Sequence, residues 1–512
     1  MSKSIQWLCI MFMLILPSIV PAQEWVARYN GPGNGWDGGN ALAVDSVGNV
    51  YVTGSSDGVN GLYDYATIKY SSTGVEQWIA RYNGPGNGCD EPCTIVVDDS
   101  GNVYVTGRSV GAGTGSDYTT IKYNSSGVEQ WIARYNGPGN IGDGAGAIVV
   151  DDSGNVYVTG YSVGAGTGSD YATIKYNSSG VEQWVARYNS PDSSHDTANG
   201  IAIDNSGNIF VGGTSLRSKT ADDYVVVKYN TLGVEQWVTQ YNGTGNYRDG
   251  ARALVISSES NVYVTGYSIG LGSDEDYATV KYNSSGIEQW TARYNGPGND
   301  VDYACAIAVD SSGNVYVAGF SEGSGTEFDY AVVKYDSLGV EQWVARYNGP
   351  GNSYDEAREM VIDNAGNSYV TGYSIDLYTH ADYATVKYNA SGVEQWVVRY
   401  NGPIDRCDDA SAIAVDNAGY IYVTGWSRGL DIGFDFATIK YSPVGIEESR
   451  ISQIESSKLH ATIFSGVLQL PEGKKCKVYD ITGRVVEPGK ILPGIYFLEI
   501  DGEVVQKVVK IR

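Results

Sequence analysis

A repeat of 53 residues constrains the fold of this chain more than any other feature. Residues 78–130 form one copy, which begins WIARYNGPGN, and Trp131 begins the next. The marker tryptophans are Trp25, Trp78, Trp131, Trp184, Trp237, Trp290, Trp343 and Trp396, each 53 residues from the last. A fixed period of this length indicates that each copy forms one structural unit that packs on its neighbours.

Each copy contains four predicted strands, and repeat positions are counted here from the tryptophan as position 0. Positions 16–20 (AIAVD), 24–29 (NVYVTG) and 39–45 (DYATIKY) alternate β-branched or aromatic residues with small or polar ones, as does VEQWVARYN. Such alternation predicts strands, named A to D in this order. The tight turns, such as 98–101 and 124–127, end in a glycine that suits a type I turn with a G1 bulge.

The two ends of the repeat array predict a closed ring. The array starts with a single strand D, Trp25–Tyr29, and ends with strands A, B and C within residues 412–441. We therefore predict an all-β, eight-bladed β-propeller with four antiparallel strands per blade, whose N-terminal strand completes the last blade. An open solenoid would leave two strand edges exposed.

The long loops are the predicted binding region. The D–A and B–C loops are long and variable, whereas the A–B and C–D turns are short, and in a meander the long loops share one end, named here the long-loop face. Loops on a rigid scaffold commonly carry binding residues. Residues that interrupt the repeat there are the candidates: Trp36, His195, Tyr247, Tyr354, Tyr378, His380 and Trp426. Tyr63, Tyr303, Phe328 and Phe434 join them only if the fold clusters them.

Two aspartates recur in every copy and admit two interpretations. Position 12 holds Asp37, Asp90, Asp143, Asp196, Asp249, Asp302, Asp355 and Asp408, and position 39 holds Asp64, Asp117, Asp170, Asp223, Asp276, Asp329, Asp382 and Asp435. They could provide oxygen ligands for a ring of calcium ions, with the position 12 set as ligands. Alternatively they accept backbone N–H bonds. One residue per blade favours the structural role, so we expect no cofactor. The repeated Trp, Lys (position 44) and Glu (position 51) are interpreted as inter-blade or surface framework.

Charge and motifs narrow the function classes. The net charge is -25, which argues against nucleic acid or an anionic membrane as partner. No acid/base pair stands apart from the eightfold background, so we expect a protein that is not an enzyme. The alternative is a polysaccharide lyase or hydrolase that uses loop carboxylates. Cys89 and Cys93 lie in one loop and could form a disulfide in an oxidising compartment.

The first 22 residues resemble a secretory signal peptide. Lys3 precedes the apolar stretch of residues 7–20, and Val20-Pro21-Ala22 resembles a cleavage site. We predict export, with no membrane span after removal of the signal.

Residues 24–448 resemble the SBBP-type β-propeller repeat family, with NHL-like A–B hairpins. The resemblance rests on residues 307–321, on DYATIKYNSSGVEQW and on ARYNGPGN. It implies an extracytoplasmic propeller and supplies no mechanism.

The period stops at Ser449. Residues 449–465 are predicted to form a linker or a first strand, and residues 466–512 a small β-sandwich. Residues 478–484 (VYDITGR), 492–497 (LPGIYF) and 507–511 (KVVKI) resemble the C-terminal sorting domain of type A cargo of the type IX secretion system. This resemblance implies type IX machinery as a partner, and a secreted or outer-surface location.

We therefore expect a propeller over residues 23–448 that acts as a binding or scaffold protein, with a glycan or protein ligand on the long-loop face. A polysaccharide-active enzyme and a purely structural surface-layer component are the alternatives.

Overall fold

A computed structural model describes residues 21–192, 195–218, 221–376, 380–430 and 433–445, together with the strands between residues 462 and 510. The chain divides into two compact units, Gln23–Pro443 and a second that combines the N-terminal 22 residues with Val444–Arg512. The predicted signal peptide lies almost entirely outside the described residues, since β1 begins at Pro21.

The propeller unit is built from 32 strands. Their bounds are β1 Pro21–Tyr29, β2 Asp37–Val44, β3 Val50–Asp57, β4 Tyr63–Tyr70, β5 Glu76–Tyr82, β6 Asp90–Val97, β7 Val103–Val110, β8 Ser116–Tyr123, β9 Glu129–Tyr135, β10 Asp143–Val150, β11 Val156–Val163, β12 Ser169–Tyr176, β13 Glu182–Tyr188, β14 Asp196–Ile203, β15 Ile209–Arg217, β16 Ala221–Tyr229, β17 Glu235–Tyr241, β18 Asp249–Ile256, β19 Val262–Ile269, β20 Glu275–Tyr282, β21 Glu288–Tyr294, β22 Asp302–Val309, β23 Val315–Glu322, β24 Phe328–Tyr335, β25 Glu341–Tyr347, β26 Asp355–Ile362, β27 Ser368–Ile375, β28 Ala381–Tyr388, β29 Glu394–Tyr400, β30 Asp408–Val415, β31 Ile421–Arg428 and β32 Phe434–Gly445.

These strands form eight four-stranded sheets, which confirms the predicted propeller. Blade 1 has the order β2-β3-β4-β5, and blades 2 to 7 repeat this meander. Blade 8 has the order β1-β32-β31-β30, so the N-terminal strand supplies its outer strand, as predicted. Arg28 of β1 forms an ion pair with Asp435 of β32, with 2.9 Å between Nη2 and Oδ2. The ring is therefore closed by residues far apart in sequence.

Strand A begins four residues earlier than predicted, at the position 12 aspartate. Asp37 pairs with Ser56, and a β-bulge falls between Gly39 and Ala41. The small residues at this end of strand A lack the apolar alternation that indicates a strand. The ladder with strand B, and packing against strand A of the adjacent blades, holds them extended instead.

The register of the C–D hairpin determines on which faces of the blade the repeated Lys and Glu lie. Lys69 pairs with Trp78 and Tyr70 with Glu76, with the register shift between Lys69 and Tyr70. Gly74 has a φ of 81°, which the G1 bulge requires. Lys and Glu are therefore on opposite faces of the blade.

The hydrophobic core lies between blades. In one cluster Val50, Val52 and Tyr70 of blade 1 pack with Tyr422 and Phe436 of blade 8, and the other interfaces repeat this arrangement. Because each interface buries the side chains of two blades, the first and last repeats stabilise each other as any adjacent pair does.

The repeated Trp and Lys bind the next blade, which confirms their predicted framework role. Trp78 Nε1 and Lys69 Nζ each donate to the carbonyl oxygen of Ser125 in the C–D turn of blade 2, both at 3.2 Å. The Trp78 ring also packs 6.1 Å from that of Tyr123. In the closing interface Trp25 and Lys440 make the same two bonds to Ser72.

The second unit contributes one five-stranded sheet of order β33-β37-β36-β34-β35. Its strands are β33 Thr462–Phe464, β34 Cys476–Asp480, β35 Val485–Val486, β36 Gly494–Ile500 and β37 Glu503–Lys510. The second sheet of the predicted sandwich is not found among the described residues, and the two-sheet arrangement stays a prediction. A search of the described part of the chain finds no helix with the length and apolar character to cross a membrane.

Candidate functional site

The position 12 aspartates are buried and hold the D–A loop onto strand B. Asp37 Oδ2 accepts a bond from the Gly31 amide at 2.9 Å, and its Oδ1 accepts bonds from the Ser56 hydroxyl and the Asp57 amide at 2.5 and 3.0 Å. Each member of the set is at most 1% exposed. These contacts fit the structural role, because protein N–H and O–H groups bind the carboxylate oxygens that would bind the ion in the calcium interpretation.

Burial makes two of these carboxyls weaker acids than an ordinary aspartate. Desolvation raises the pKa of Asp302 and of Asp355 to about 6, against the opposing effect of their serine and glycine hydrogen bonds. Because the same burial recurs in every blade, these shifted pKa values belong to the framework and do not identify a catalytic acid.

The position 39 aspartates take part in a contact between blades, named here the joint, in which an arginine binds an aspartate and a serine of its own blade and a tyrosine of the preceding blade. This contact was not predicted from the sequence. Asp117 accepts a bond from Arg134 Nη2 at 2.9 Å, and the same guanidinium donates to the Ser109 side chain and to Tyr82 OH of the preceding blade, at 2.7 and 2.8 Å. An arginine at position 3 occupies seven of the eight copies, which was the available signal. The joint links blades and is largely buried.

Blade 4 has a relocated joint. Gln240 replaces the position 3 arginine and donates to Asp223. Arg217, at the end of strand B, donates to Tyr188 OH at 2.8 Å, which is the tyrosine contact that arginine makes in other blades. Arg217 thus partly compensates for the arginine that is missing at position 3 of this joint.

Five aromatic side chains cluster across blades 5 to 7, and are named here the blade 5–7 cluster: Tyr267, Tyr303, Phe320, Phe328 and Tyr354. Tyr267 stacks on Tyr303 with 4.6 Å between ring centroids, and Tyr303 stacks on Phe320 at 5.4 Å with an angle of 4° between planes. Phe328 packs 4.9 Å from Phe320 and 5.5 Å from Tyr354. Tyr354 is 41% exposed, so the cluster reaches solvent.

Arg252 adds a positive charge to the blade 5–7 cluster. Its guanidinium carbon lies 4.9 Å from the Tyr303 ring centroid and 5.8 Å from that of Tyr267, and it donates to Tyr303 OH. Arg252 is exposed and makes no ion pair with any described carboxylate. The cluster therefore combines flat apolar faces with one hydrogen-bonding cation.

A second group, the blade 8–1 cluster, contains Trp36, Tyr63, Trp426 and Phe434. Trp426 packs 4.9 Å from Phe434, and Trp36 packs 5.4 Å from Tyr63. A backbone bridge joins Trp36 to Phe434. All four are partly exposed, so these loop aromatics meet the clustering condition that makes them a candidate site.

The remaining predicted residues do not join the clusters. Tyr247 is exposed on the D–A loop of blade 5 and makes no ring contact with another described aromatic. His195 is exposed, with Nδ1 3.0 Å from the Ser169 hydroxyl. His380 lies instead beside two carboxylates, Asp376 and Asp405. Tyr378 lies outside the described residues.

The possible disulfide is not formed. Cys89 and Cys93 are both free thiols. Cys93 lies in strand A, where its Sγ donates to the Ala145 carbonyl of the next blade at 3.1 Å. Its side chain therefore faces blade 3 and not the loop that carries Cys89.

Tyr267, Phe320 and Arg252 are cluster residues that were not predicted from the sequence. Position 30 reads Ser55, Arg108, Tyr161, Thr214, Tyr267, Phe320, Tyr373 and Trp426, whereas the flanking positions of strand B are almost constant. This variation within a constant strand was the signal that could have found Tyr267 and Phe320; Arg252 lies at position 15, in strand A.

A model of a known repeat family matches five segments of the chain. The SBBP beta-propeller repeat model matches residues 24–62, 183–216, 289–324, 342–378 and 404–432, all within the propeller unit. These segments are similar to the SBBP beta-propeller repeat, and the eight sheets show that the chain contains a β-propeller. A search of curated proteins finds no relative.

Several solved structures match this chain at low identity and low TM-score. A polysaccharide lyase of family PL25, an ulvan lyase, is 13% identical, with 81% of this chain and 94% of the other covered and a TM-score of 0.41. A protein of unknown function from Dyadobacter fermentans is 8% identical, with 83% and 100% covered and a TM-score of 0.39. The WD40 domain of SCAP from fission yeast is 12% identical, with 83% and 97% covered and a TM-score of 0.37. Their activities are not transferred to this chain.

Proposed function

We propose that this protein is an exported β-propeller that binds a glycan through the aromatic clusters of its long-loop face. The observation that supports the proposal is the blade 5–7 cluster, in which five rings from three blades contact one another and one reaches solvent. Framework residues recur in every blade, whereas this cluster occurs on one side of the ring. A feature confined to one side is not needed to build a blade.

The chemistry of the cluster suits a sugar. Aromatic faces offer a flat apolar surface with a polar edge, which matches the C–H face and hydroxyl rim of a pyranose. Arg252 offers donors beside this surface, and Tyr303 holds it in place by a cation–π contact of 4.9 Å. A small set of polar groups beside apolar surface is the usual composition of a ligand site.

The export part of the proposal rests on the two ends of the chain. Residues 1–22 have the pattern of a signal peptide, and the motifs of residues 478–511 resemble a type IX sorting domain. We propose a secreted or outer-surface location with type IX machinery as the transport partner. Detection of the protein in culture medium, and its retention in the cell when residues 449–512 are deleted, would support this route. Unchanged export after the deletion would contradict it.

Glycan binding can be tested with full-length protein on a polysaccharide array, followed by titration of the best probe. Tyr354→Ala and Phe328→Ala should each weaken binding at least tenfold if the blade 5–7 cluster is the site. Tyr247→Ala is the control, because Tyr247 is also an exposed tyrosine on a D–A loop, 59% exposed against 41% for Tyr354, but lies outside the cluster. Binding that is lost in the control and kept in both cluster variants would contradict the assignment.

A further inference from the structure

Three potential metal ligands meet where the loops of blades 7 and 8 adjoin. Asp376 and His380 belong to the B–C loop of blade 7, and Asp405 belongs to the D–A loop that enters blade 8. One ligand atom from each residue lies within 4.8 Å of the other two. His380 Nδ1 is 3.5 Å from Asp405 Oδ1. This distance exceeds that of most hydrogen bonds between such atoms.

The imidazole supplies a second observation. His380 Nδ1 is inaccessible to solvent and has no hydrogen-bond partner in the structure. A buried ring nitrogen whose contact with Asp405 is as long as 3.5 Å costs free energy, since it has given up water and gained only this weak contact in exchange. It faces the carboxylate of Asp405, and a cation held between the two groups would satisfy both.

The two carboxylates are already oriented by amides. Asp376 Oδ1 accepts a bond from the His380 backbone amide at 3.0 Å, and Asp405 Oδ1 accepts one from Asn401 Nδ2 at 3.0 Å. Outer contacts of this kind fix the direction of metal ligands and reduce the entropy lost on binding. The loop ends are thus held in place by contacts that do not require an ion.

The other repeats provide an internal comparison. Position 33, occupied by Asp376, is glycine in six of the other seven copies, and position 9, occupied by Asp405, is asparagine in six of them. Histidine occurs at position 37 only in blade 7. The Asn401 contact to position 9 matches that between Asn30 and Asn34 in blade 1, so the loop does not need an acid there. The substitutions add ligand groups to a loop that already folds without them.

We propose that Asp376, His380 and Asp405 bind a divalent transition-metal ion, for which Zn²⁺ is the appropriate probe. Imidazole with carboxylates suits zinc and its neighbours in the first transition row, whereas calcium prefers six to eight oxygen ligands. Three protein ligands leave a position for water or for a donor atom of a bound molecule. The ion would connect blades 7 and 8 at the long-loop face, independently of glycan binding.

The test is calorimetric titration of Zn²⁺ into untagged full-length protein that has first been treated with a chelator. One site is expected, and His380→Ala and Asp405→Asn should each weaken it by at least tenfold. His195→Ala is the matched control for an exposed imidazole, and Glu327→Gln, at the same repeat position as His380, is the control for a loop acid. Both controls should bind Zn²⁺ as the parent protein does.

Two results would overturn the proposal. The first is the absence of binding at millimolar Zn²⁺, which would leave His380 and Asp405 as an ion pair only. The second is equal affinity in the parent protein and in both ligand variants. Thermal melting in chelator shows whether each variant folds, and Co²⁺ absorption of the parent protein reports imidazole and carboxylate ligation directly.

Discussion

Glu359 provides a test of how the inter-blade interface treats a charge. It lies in strand A of blade 7 at position 16, where the other blades carry Ala41, Thr94, Ala147, Gly200, Ala253, Ala306 and Ala412. Its Oε2 accepts a bond from the Ile413 amide of blade 8 at 2.7 Å. Burial raises the pKa of Glu359 to about 7, and this hydrogen bond offsets the rise only in part.

The perturbation is Glu359→Gln, which keeps an oxygen acceptor for Ile413 and removes the titration. The pKa rises from 4.5 to about 7, so the folded state binds the proton more tightly than the unfolded state does. The carboxylate therefore costs nothing below about pH 4.5, and its cost grows to a plateau above pH 7. At about 1.4 kcal/mol per pKa unit, the cost of the carboxylate to the free energy of unfolding is at most about 3 kcal/mol. We expect about 1–3 kcal/mol because the side chain is only partly buried.

The assay is chemical denaturation of both proteins between pH 5 and pH 8. The free energy of unfolding of Glu359→Gln should exceed that of the parent at pH 8 by the stated amount, and the difference should shrink as the pH is lowered. Glu129→Gln, at an exposed end of strand D, is the control and should show no such trend. A difference independent of pH, or one that grows on acidification, would refute the reasoning.

Three further predictions concern the blade 4 joint, the Ser260–Asp204 bond and the closing strand. Gln240→Arg and Arg217→Gly should each destabilise blade 4 by about 1–3 kcal/mol, while the double variant should regain most of the loss, as a double-mutant cycle can measure. Additive losses would contradict the relocation of the joint. Ser260 of blade 5 donates to Asp204 at 3.1 Å, because Phe210 lacks the hydroxyl with which tyrosine binds this carboxylate in other blades. Ser260→Ala should therefore cost about 0.5–1.5 kcal/mol in urea melts and be rescued by Phe210→Tyr. Deletion of residues 23–29 should expose the edge of β32 and lower the melting temperature by many degrees, with concentration-dependent association in light scattering. A monomer that melts unchanged would show that closure is dispensable.

The sequence predicts the ring well because its signals are local and occur eight times. The glycine of nearly every tight turn, the alternation of strands B and C and the unpaired strand D at Trp25 each specify geometry without knowledge of the tertiary contacts. The early start of strand A was not predictable in this way, since Asp37, Gly38 and Gly39 show no apolar alternation. Their extended conformation depends on neighbours that only the closed ring supplies.

The candidate site was predicted in part. Trp36, Tyr354 and Trp426 are predicted because they interrupt the repeat near the long loops, and the structure adds ring contacts to each. The clusters also draw on strand residues such as Phe320, which contacts Tyr303 and Phe328 of its own blade, and these two rings make the contacts with the adjacent blades. The arginine joint is not evident within one copy. Its members come from two neighbouring copies with nearly the same sequence, so the sequence does not show which residues pair.

The closing strand β1 has a consequence for folding. Every strand D carries nearly the same residues, EQWVARY, so the edge of β32 can accept the outer strand of any repeat or of another molecule. A nascent chain can therefore close one or more whole repeats out of register and leave a surplus blade outside a smaller ring. Local contacts would be correct in such a misfolded ring, so only residues that differ between copies can disfavour it. The relocated arginine of blade 4 and the Ser260–Asp204 bond occur at one interface each, so they favour the correct pairing of those blades over pairing out of register.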